Sequence, residues 1–254
     1  MLNDYSETEK IIQNYWANSA AGFSEFVNQE DLAPERKKLW LSKIINNAPD
    51  KVRLDVLDVG TGPGFFAIIL AEAGHRITAI DCTQNMLDEA ARNASAAGVE
   101  AAFMKMDSHE LDFENESFDL IVSRNVTWTL CDPVRAYKEW LRVLRPGGKF
   151  IVFDANYGMY CYDEEIARKK RESEAAYKKL YGIPVSRNGS DKEYFERMYL
   201  SNKLRPEWDE AALKDLGVST YIEKDVSSAL YSEQRQLLNA ASPLFMIVAE
   251  KPKI

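Results

Sequence analysis

The turn from Asp58 to Gly64 contains the residues with the clearest chemical meaning in this sequence. It reads Asp-Val-Gly-Thr-Gly-Pro-Gly, with glycines at positions 60, 62 and 64. Glycine lacks the Cβ atom that would hold a ligand away from the backbone, and a helix beginning after the turn would present free N–H groups. A dinucleotide-binding fingerprint would need glycine where Phe65 stands. The glycines alone therefore indicate a nucleotide-like ligand only weakly, and a purely structural turn is the alternative.

Carboxylates spaced along the following chain strengthen that signal. Asp81 lies 21 residues after Gly60, where a carboxylate can accept hydrogen bonds from both hydroxyls of a ribose. Asp107, beside Ser108, would offer an acceptor to an adenine amino group, with helix capping as the alternative role. Asp58 could accept a hydrogen bond from an ammonium group. Because no lysine or arginine lies around the turn in sequence, three carboxylates suit a cationic nucleoside better than a pyrophosphate.

Between residues 54 and 156, short β-branched runs alternate with segments of helical period, which is typical of βαβ units on a parallel sheet. The predicted strands cover 56–60, 76–81, 101–107, 118–125 and 149–155. Asp132 and Pro133 predict the start of one helix, and Pro146-Gly-Gly predicts its end. Because ligands bind beyond the carboxyl ends of such strands, we expect the residues that follow them to converge on one crevice.

The segments that flank this pattern predict additional structure around the core. We expect a helical N-terminal lid at 1–50, an α/β core that binds the ligand at 51–156, a helical insertion at 157–216 and C-terminal strands at 217–254. Aromatic side chains of the lid and the insertion suggest a substrate pocket, with ordinary core packing as the alternative account of the same rings. The residues assigned to this pocket are Tyr15, Phe23, Trp128 and Tyr157.

Composition and charge narrow the classes of partner. The chain of 254 residues has 32 basic and 40 acidic side chains, and a net charge of −8 opposes binding to nucleic acid. No run approaches the roughly 18 apolar residues of a membrane-spanning helix, so we expect no membrane insertion. The three cysteines show no Cys-x-x-Cys spacing, which predicts no metal site and reduced thiols in a cytoplasmic protein.

Four motifs in the same order make the sequence similar to a known family. They are VLDVGTGPG, TAID followed by NML, MDSHELDFENESFDLIVSRN, and EWLRVLRPGGKFIVFD, and the similarity covers roughly residues 15–157. The chain resembles the class I S-adenosylmethionine-dependent methyltransferases, and within them the small-molecule enzymes typified by ubiquinone and menaquinone biosynthesis, or methyltransferase type 11. The resemblance implies an α/β, Rossmann-like, doubly wound sheet of seven strands, mostly parallel with one antiparallel strand. It also implies S-adenosyl-L-methionine as cofactor and S-adenosyl-L-homocysteine as product.

The resemblance assigns cofactor-binding roles to particular residues of this sequence. The glycine turn would hold the methionine portion, Asp81 the ribose, and Asp107 with Ser108 the adenine edge. Cys82 and Met86 would border the adenine, and Asn125 would lie beside the methionine amino group, unless it merely ends its strand in a turn. The complete implied set is Asp58, Gly60, Thr61, Gly62, Gly64, Asp81, Cys82, Met86, Asp107, Ser108 and Asn125.

The implied reaction is an in-line methyl transfer to a small-molecule acceptor. Because a sulfonium methyl group is intrinsically activated, the protein mainly aligns the reactants and excludes water. The sequence identifies no catalytic residue. His109 and a tyrosine of the lid are candidate bases, but the favoured interpretation of His109 is a surface residue beside the adenine site. An RNA or protein methyltransferase, or a non-catalytic protein of the same fold that binds the cofactor, are the alternative functions.

Overall fold

The computed structural model describes residues 2–182 and 192–253, and its center is a seven-stranded sheet. Residues 183–191 of the predicted insertion lie outside the described residues, as do residues 1 and 254. The strands are β1 Asp55–Val59, β2 Arg76–Asp81, β3 Ala102–Lys105, β4 Phe118–Arg124, β5 Leu144–Asp154, β6 Ser219–Glu223 and β7 Phe245–Glu250. Their order across the sheet is β3-β2-β1-β4-β5-β7-β6.

The topology confirms the predicted doubly wound sheet. Strands β1 to β5 pair in parallel, and β7 pairs antiparallel with both β5 and β6. Strand β1 lies between β2 and β4, so the strand order reverses there and opens a crevice at the carboxyl ends. The turn after β1 and the residues after β4 face this crevice.

One strand begins earlier than expected. The Pro146-Gly-Gly sequence was predicted to end the preceding helix, yet β5 already begins at Leu144. Leu144 pairs with Phe118, and a β-bulge shifts the register before the pairing resumes between Leu120 and Lys149. The bulge accommodates the two glycines within the strand, because it relaxes the regular ladder at that point.

Helices cover both faces of the sheet and its crevice. They are α1 Leu2–Phe26, α2 Pro34–Ile45, α3 Phe65–Glu72, α4 Gln84–Ala97, α5 Pro133–Val143, α6 Glu164–Tyr181, α7 Lys192–Arg197, α8 Glu207–Asp215, α9 Ser227–Leu230 and α10 Glu233–Leu238. A π-helical turn, Val27–Asp31, follows α1, and single 3₁₀ turns lie at Thr127–Thr129 and Met159–Cys161. In the described part of the chain, no helix has the length and apolarity needed to cross a bilayer.

Two apolar layers hold the helices on the sheet. On one face Trp40 of α2 packs its ring 5.1 Å from that of Phe153 on β5. On the other face Tyr137 of α5 stacks on Phe150, with ring centroids 5.6 Å apart. These four side chains are fully buried. Burial of a parallel sheet on both faces is the reason that its central strands are rich in apolar residues.

A buried ionic cluster joins the insertion to the sheet. Arg205, in the segment before α8, contacts Asp154 at the end of β5 at 2.9 Å and Asp209 at 2.8 Å. Asp154 also accepts hydrogen bonds from the Thr127 hydroxyl and, at 2.8 Å, from the backbone N–H of Trp128. The cluster therefore fixes the 3₁₀ turn that follows β4 beside the crevice.

Candidate active site

A cleft lies beyond the carboxyl ends of β1 to β4, and helix α1 covers it. Its empty volume is about 890 Å³ with the open mouth included. Its walls come from the strand ends, from α1 and from the segment after β4. Of the residues singled out in the sequence, the cleft is lined by Phe23, Gly60, Gly62, Asp81, Cys82, Met86, Asp107, Ser108, His109 and Asn125.

The three glycines of the turn have different neighbours. Gly60 and Gly62 line the cleft, and their backbone φ angles of +66° and +53° favour glycine. A Cβ atom on Gly60 would come within 2.3 Å of a Val126 methyl group. Gly64 was expected to open the backbone to the ligand as well, but a Cβ there would lie 3.1 Å from the Cβ of Ala90. Gly64 instead permits the close approach of α3 and α4.

Asp81 ends β2 and is held in place by the backbone of the glycine turn. Its Oδ2 accepts a 3.0 Å hydrogen bond from the N–H of Gly62, and its Oδ1 accepts from the N–H and hydroxyl of Thr83, both at 2.9 Å. Burial raises the pKa of Asp81 above its ordinary value, and raises that of the neighbouring Cys82 thiol to about 12. The carboxylate is thus a preorganised acceptor at the middle of the cleft.

Asp107 and His109 form a pair at one end of the cleft. His109 Nδ1 lies 2.7 Å from Asp107 Oδ1, and the backbone N–H of Asp132 donates to Nε2 at 3.3 Å. Nε2 is therefore the unprotonated nitrogen, and Nδ1–H donates to the carboxylate. Although burial opposes it, hydrogen bonding from His109 lowers the pKa of Asp107. With both ring nitrogens engaged, His109 orients Asp107 and is not placed as a general base.

Asp58 and Thr61 line a smaller cavity that adjoins the cleft and shares Gly60 and Gly62 with it. Oδ2 of Asp58 accepts from the Thr61 hydroxyl at 2.7 Å and from the N–H of Ala67 at 3.1 Å. Burial raises the pKa of Asp58 to about 7. This carboxyl therefore gains or loses its charge near neutral pH.

Arg124 brings a positive charge to the site, which the sequence analysis did not anticipate. It ends β4, lines both cavities, and pairs with Asp31 at 2.8 Å. Its guanidinium carbon lies 4.5 Å from the ring centroid of Phe65, a cation–π arrangement. The four carboxylates that line the two cavities, those of Glu9, Asp58, Asp81 and Asp107, are therefore accompanied by one buried arginine that is already paired.

Asn125 follows Arg124 and adopts a φ angle of +59°. Its Oδ1 accepts a 2.7 Å hydrogen bond from the Tyr157 hydroxyl, and its backbone carbonyl accepts from the Trp128 indole at 3.1 Å. Tyr157 and Trp128 do not line the cleft but buttress a residue that does. Tyr15 also lies behind the wall, with its ring 5.2 Å from that of Trp16.

Several lining residues were missed by the sequence analysis. Helix α1 contributes Glu9, Ile12, Gln13 and Trp16, and the segment after β4 contributes Val126, Thr129, Leu130 and Cys131. The spacing 9, 12, 13, 16 places the first group on one helical face, a signal that was present in the sequence. The second group could not be found in this way, because the segment after β4 is oriented by tertiary contacts of the buried Asp154 cluster.

Residues 57–152 match a protein-family model described as "Methyltransferase domain". The chain contains a methyltransferase domain. It is 30% identical over 155 residues to a protein named ubiquinone/menaquinone biosynthesis C-methyltransferase UbiE from Bdellovibrio bacteriovorus, an alignment covering 60% of this chain and 65% of the relative. It is 32% identical over 117 residues to a demethylmenaquinone methyltransferase of Thermus thermophilus, covering 45% and 53%. In both cases, less than two thirds of the relative's length is matched.

Solved structures share the fold of the methyltransferase domain. A SAM-dependent methyltransferase from Aquifex aeolicus superposes with a TM-score of 0.54 at 20% identity, over 86% of this chain and 94% of that one. The [4+2]-cyclase SpnF superposes with a TM-score of 0.58 at 20% identity, over 85% and 80%. At these identities the likeness establishes the fold alone.

The cofactor of this methyltransferase domain is S-adenosylmethionine, and the cleft fits it. The buried carboxyl of Asp81 and that of Asp107 line the cleft, and the buried carboxyl of Asp58 lines the adjoining cavity. Hydrogen-bond acceptors in these positions suit S-adenosylmethionine, because its ribose hydroxyls lie between the amino group of the adenine and the amino group of the methionine portion. Glycine at positions 60 and 62 keeps the backbone beside these acceptors accessible.

Proposed function

We propose that the protein transfers a methyl group from S-adenosylmethionine to a small-molecule acceptor. The observation that carries the proposal is that Asp81 and Asp107 line the cleft and Asp58 lines the smaller cavity adjoining it, all near the carboxyl ends of the strands. A cationic cofactor gains from facing carboxylates in a partly buried setting, where charge interactions are stronger than in water.

In this proposal different residues bind different parts of the cofactor. Asp81 binds the ribose hydroxyls, while Asp107, oriented by His109, and Ser108 address the adenine edge. Cys82 and Met86 border the adenine ring. Gly60, Gly62 and Asn125 surround the methionine portion, and Asp58 with Thr61 lies nearest its amino group.

The chemistry places few demands on the protein beyond alignment. S-adenosylmethionine supplies a methyl group that is already activated by its sulfonium. The chain's part is to fix the acceptor in line with that group and to exclude water, for which the covering helix α1 is suited. We assign no general base, because His109 is engaged at both nitrogens.

The remaining wall of the cleft supports a small apolar or aromatic acceptor. Ile12, Trp16, Val126 and Leu130 face it with hydrocarbon and ring surface. Aromatic acceptors also agree with the named chemistry of the relatives, which act in quinone biosynthesis. Reduced thiols, with none of the three cysteines in a disulfide, agree with a cytoplasmic setting.

Two other functions are less well supported. A nucleic-acid methyltransferase would need a basic groove, and here the cleft is lined by carboxylates and by one arginine that is paired. A protein that binds the cofactor without transferring a methyl group would share the whole cleft, as the cyclase SpnF shares the fold. Only a transfer assay separates this second alternative from the proposal.

Isothermal titration calorimetry with S-adenosylhomocysteine tests the cofactor site. We expect binding by the wild type and a loss of about 1.5–3 kcal/mol in Asp81→Ala, the scale of hydrogen bonds to a charged group. Asp215→Ala, an exposed aspartate at the end of α8, provides the matched control. If the wild type does not bind the ligand, the proposed function is rejected.

Transfer itself is tested with methyl-labelled S-adenosylmethionine. The acceptors are a reduced naphthoquinone, a small-molecule extract and total RNA at low salt. Label in the first or second supports the proposal, and label in RNA alone overturns it. Tight cofactor binding with no label in any acceptor points to the non-catalytic alternative.

A further inference from the structure

One face of helix α1 runs along the whole cleft. Glu9, Ile12, Gln13, Trp16 and Phe23 all line it, at spacings that put them on the same side of the helix. Fourteen residues of α-helix span about 21 Å. Phe23 lies at the glycine-turn end, 3.6 Å from the position of a Cβ on Gly62. Glu9 therefore lies at the other end of this helical face.

Glu9 meets the Asp107 and His109 pair at that end. One carboxylate oxygen of Glu9, one of Asp107 and one ring nitrogen of His109 lie within 4.8 Å of one another. Glu9 is half-buried, and in residues 2–182 and 192–253 it has no hydrogen-bond or ion-pair partner. Two carboxylates at this separation repel each other unless a group that donates hydrogen bonds lies between them.

The geometry indicates the chemical nature of that group. His109 uses Nδ1–H for Asp107 and Nε2 for the N–H of Asp132, so it offers no free lone pair to a metal ion. Asp107 has about half of its side chain exposed and retains acceptor capacity toward the cleft. A primary amine on an aromatic ring, with two N–H groups in one plane, can donate to both carboxylates at once.

We propose that Glu9 and Asp107 together bind the 6-amino group of the adenine, so that Glu9 is the contact through which the lid helix recognises the cofactor. This inference rests on the proposed function, since it assumes that the cleft takes S-adenosylmethionine. It assigns to Glu9 a role that Asp107 alone cannot fill, because Asp107 belongs to the sheet and Glu9 to the helix that covers the cleft.

Binding would then couple the cofactor to the position of α1. The helix is tied to α4 by a 3.0 Å hydrogen bond from Asn85 to the Ala17 carbonyl and by a 3.1 Å bond from Asn93 to Ser24. Both ties lie toward its carboxyl half, whereas Glu9 lies in its amino half. The adenine amine would add a hydrogen-bonded contact to the amino half of the helix.

The test compares two ligands that differ at the 6-position. S-adenosylhomocysteine carries the amine, and its 6-deamino (purine riboside) analogue carries hydrogen in that place while keeping N1 as an acceptor. Calorimetry is run with EDTA in the buffer on the wild type, Glu9→Ala, Glu9→Gln and the control Glu25→Gln, an exposed position on α1. Circular dichroism and thermal melting confirm that each variant is folded.

We expect Glu9→Ala to weaken binding of S-adenosylhomocysteine by about three- to tenfold, the range of a single hydrogen bond, and to leave binding of the 6-deamino analogue unchanged. Glu9→Gln, which keeps one acceptor oxygen, is expected to retain part of the affinity, and Glu25→Gln all of it. Equal weakening of both ligands in Glu9→Ala, or no change in either, overturns the inference while leaving the proposed function in place. No binding of either ligand by the wild type rejects both.

Hydrogen exchange gives a readout that does not depend on affinity. S-adenosylhomocysteine is expected to slow amide exchange in residues 7–16 of the wild type, and to do so less in Glu9→Ala at equal saturation. Equal protection in the two proteins contradicts a tie between the adenine and this end of the helix.

Discussion

The hydroxyl of Tyr157 donates a 2.7 Å hydrogen bond to Oδ1 of Asn125, and so links the first residue of the insertion to the residue that follows β4. Asn125 lines the cleft, whereas Tyr157 does not. Burial raises the pKa of Tyr157 well above its ordinary value, so the hydroxyl keeps its proton and remains a donor. With Oδ1 engaged in this way, the amide Nδ2 is left to face the ligand.

Tyr157→Phe is therefore expected to release the Asn125 side chain without opening the cleft. Loss of one hydrogen bond corresponds to about 1 kcal/mol, so we expect a roughly fivefold weaker affinity for S-adenosylhomocysteine by calorimetry and little change in melting temperature. Tyr162→Phe, an exposed ring nearby in sequence, is the control. An affinity equal to that of the wild type would mean that Asn125 does not need this bond.

We expect ligand binding to be coupled to the loss of a proton from Asp58. Burial raises its pKa to about 7, so near pH 6 most molecules carry a protonated Asp58. A ligand ammonium group favours the ionised form, and binding should then release up to about one proton. Calorimetry at pH 6 in two buffers of different ionisation enthalpy measures this release. Asp58→Asn keeps an acceptor for Thr61 and is expected to abolish it.

The same carboxyl makes the ligand-free protein sensitive to pH. Because the folded pKa lies above the unfolded value, the stability that Asp58 contributes is present below about pH 4 and is lost as the pH rises toward 7. The difference in unfolding free energy between Asp58→Asn and the wild type, from urea unfolding, should therefore grow in favour of the variant over this interval. A difference that does not vary with pH contradicts the raised pKa.

Asp31 is expected to be important for stability because it partners two buried arginines. It lies 2.8 Å from Arg124 and 2.7 Å from Arg235, and all three side chains are largely buried. Asp31→Ala leaves both positive charges uncompensated, so we expect a loss of about 3–5 kcal/mol in urea unfolding at pH 7. Glu72→Ala, which breaks the partly exposed pair with Lys37, should cost at most about 1 kcal/mol.

The sign of the pH effect at Asp31 is opposite to that at Asp58. Burial alone would raise the pKa of Asp31, but Arg124 and Arg235 hold it below its ordinary value. The stability it contributes is present above the unfolded pKa and is lost as the pH falls through the lowered folded value. The difference in unfolding free energy between the wild type and Asp31→Ala should therefore become smaller only at acidic pH.

Gly60→Ala tests how tightly the glycine turn packs against the segment after β4. The added Cβ would lie 2.3 Å from a Val126 methyl group, and a φ angle of +66° adds backbone strain. We expect a loss of about 2–4 kcal/mol in unfolding free energy, with weaker binding of S-adenosylhomocysteine. Val126→Ala in the same chain should recover part of the stability, because it removes the clash but not the strain. No recovery would mean that the strain alone sets the cost.

Much of the fold could be read from local sequence signals. The alternation of apolar runs with helical periods and the Asp132-Pro133 helix start predicted a doubly wound parallel sheet, and the family resemblance implied seven strands with one antiparallel strand. The structure confirms both. These signals are local, since they depend on the period of side chains and on backbone constraints within a few residues. That Asp81 and Asp107 line one cleft also followed from their positions at or just after strand ends, whereas Asp58 lines the adjoining cavity.

The parts decided by tertiary structure are those that depend on contacts between distant segments. That Arg124 pairs with Asp31, 93 positions earlier in the chain, could not be read from either residue. The same holds for Tyr157, which was assigned to the pocket but supports Asn125 from behind. Glu9 was not singled out from the sequence, although helical spacing puts it on one face with Trp16, and only the packing of α1 over the sheet brought it to Asp107. Sequence fixes which groups end each strand or face each side of a helix, whereas their partners depend on how the elements pack.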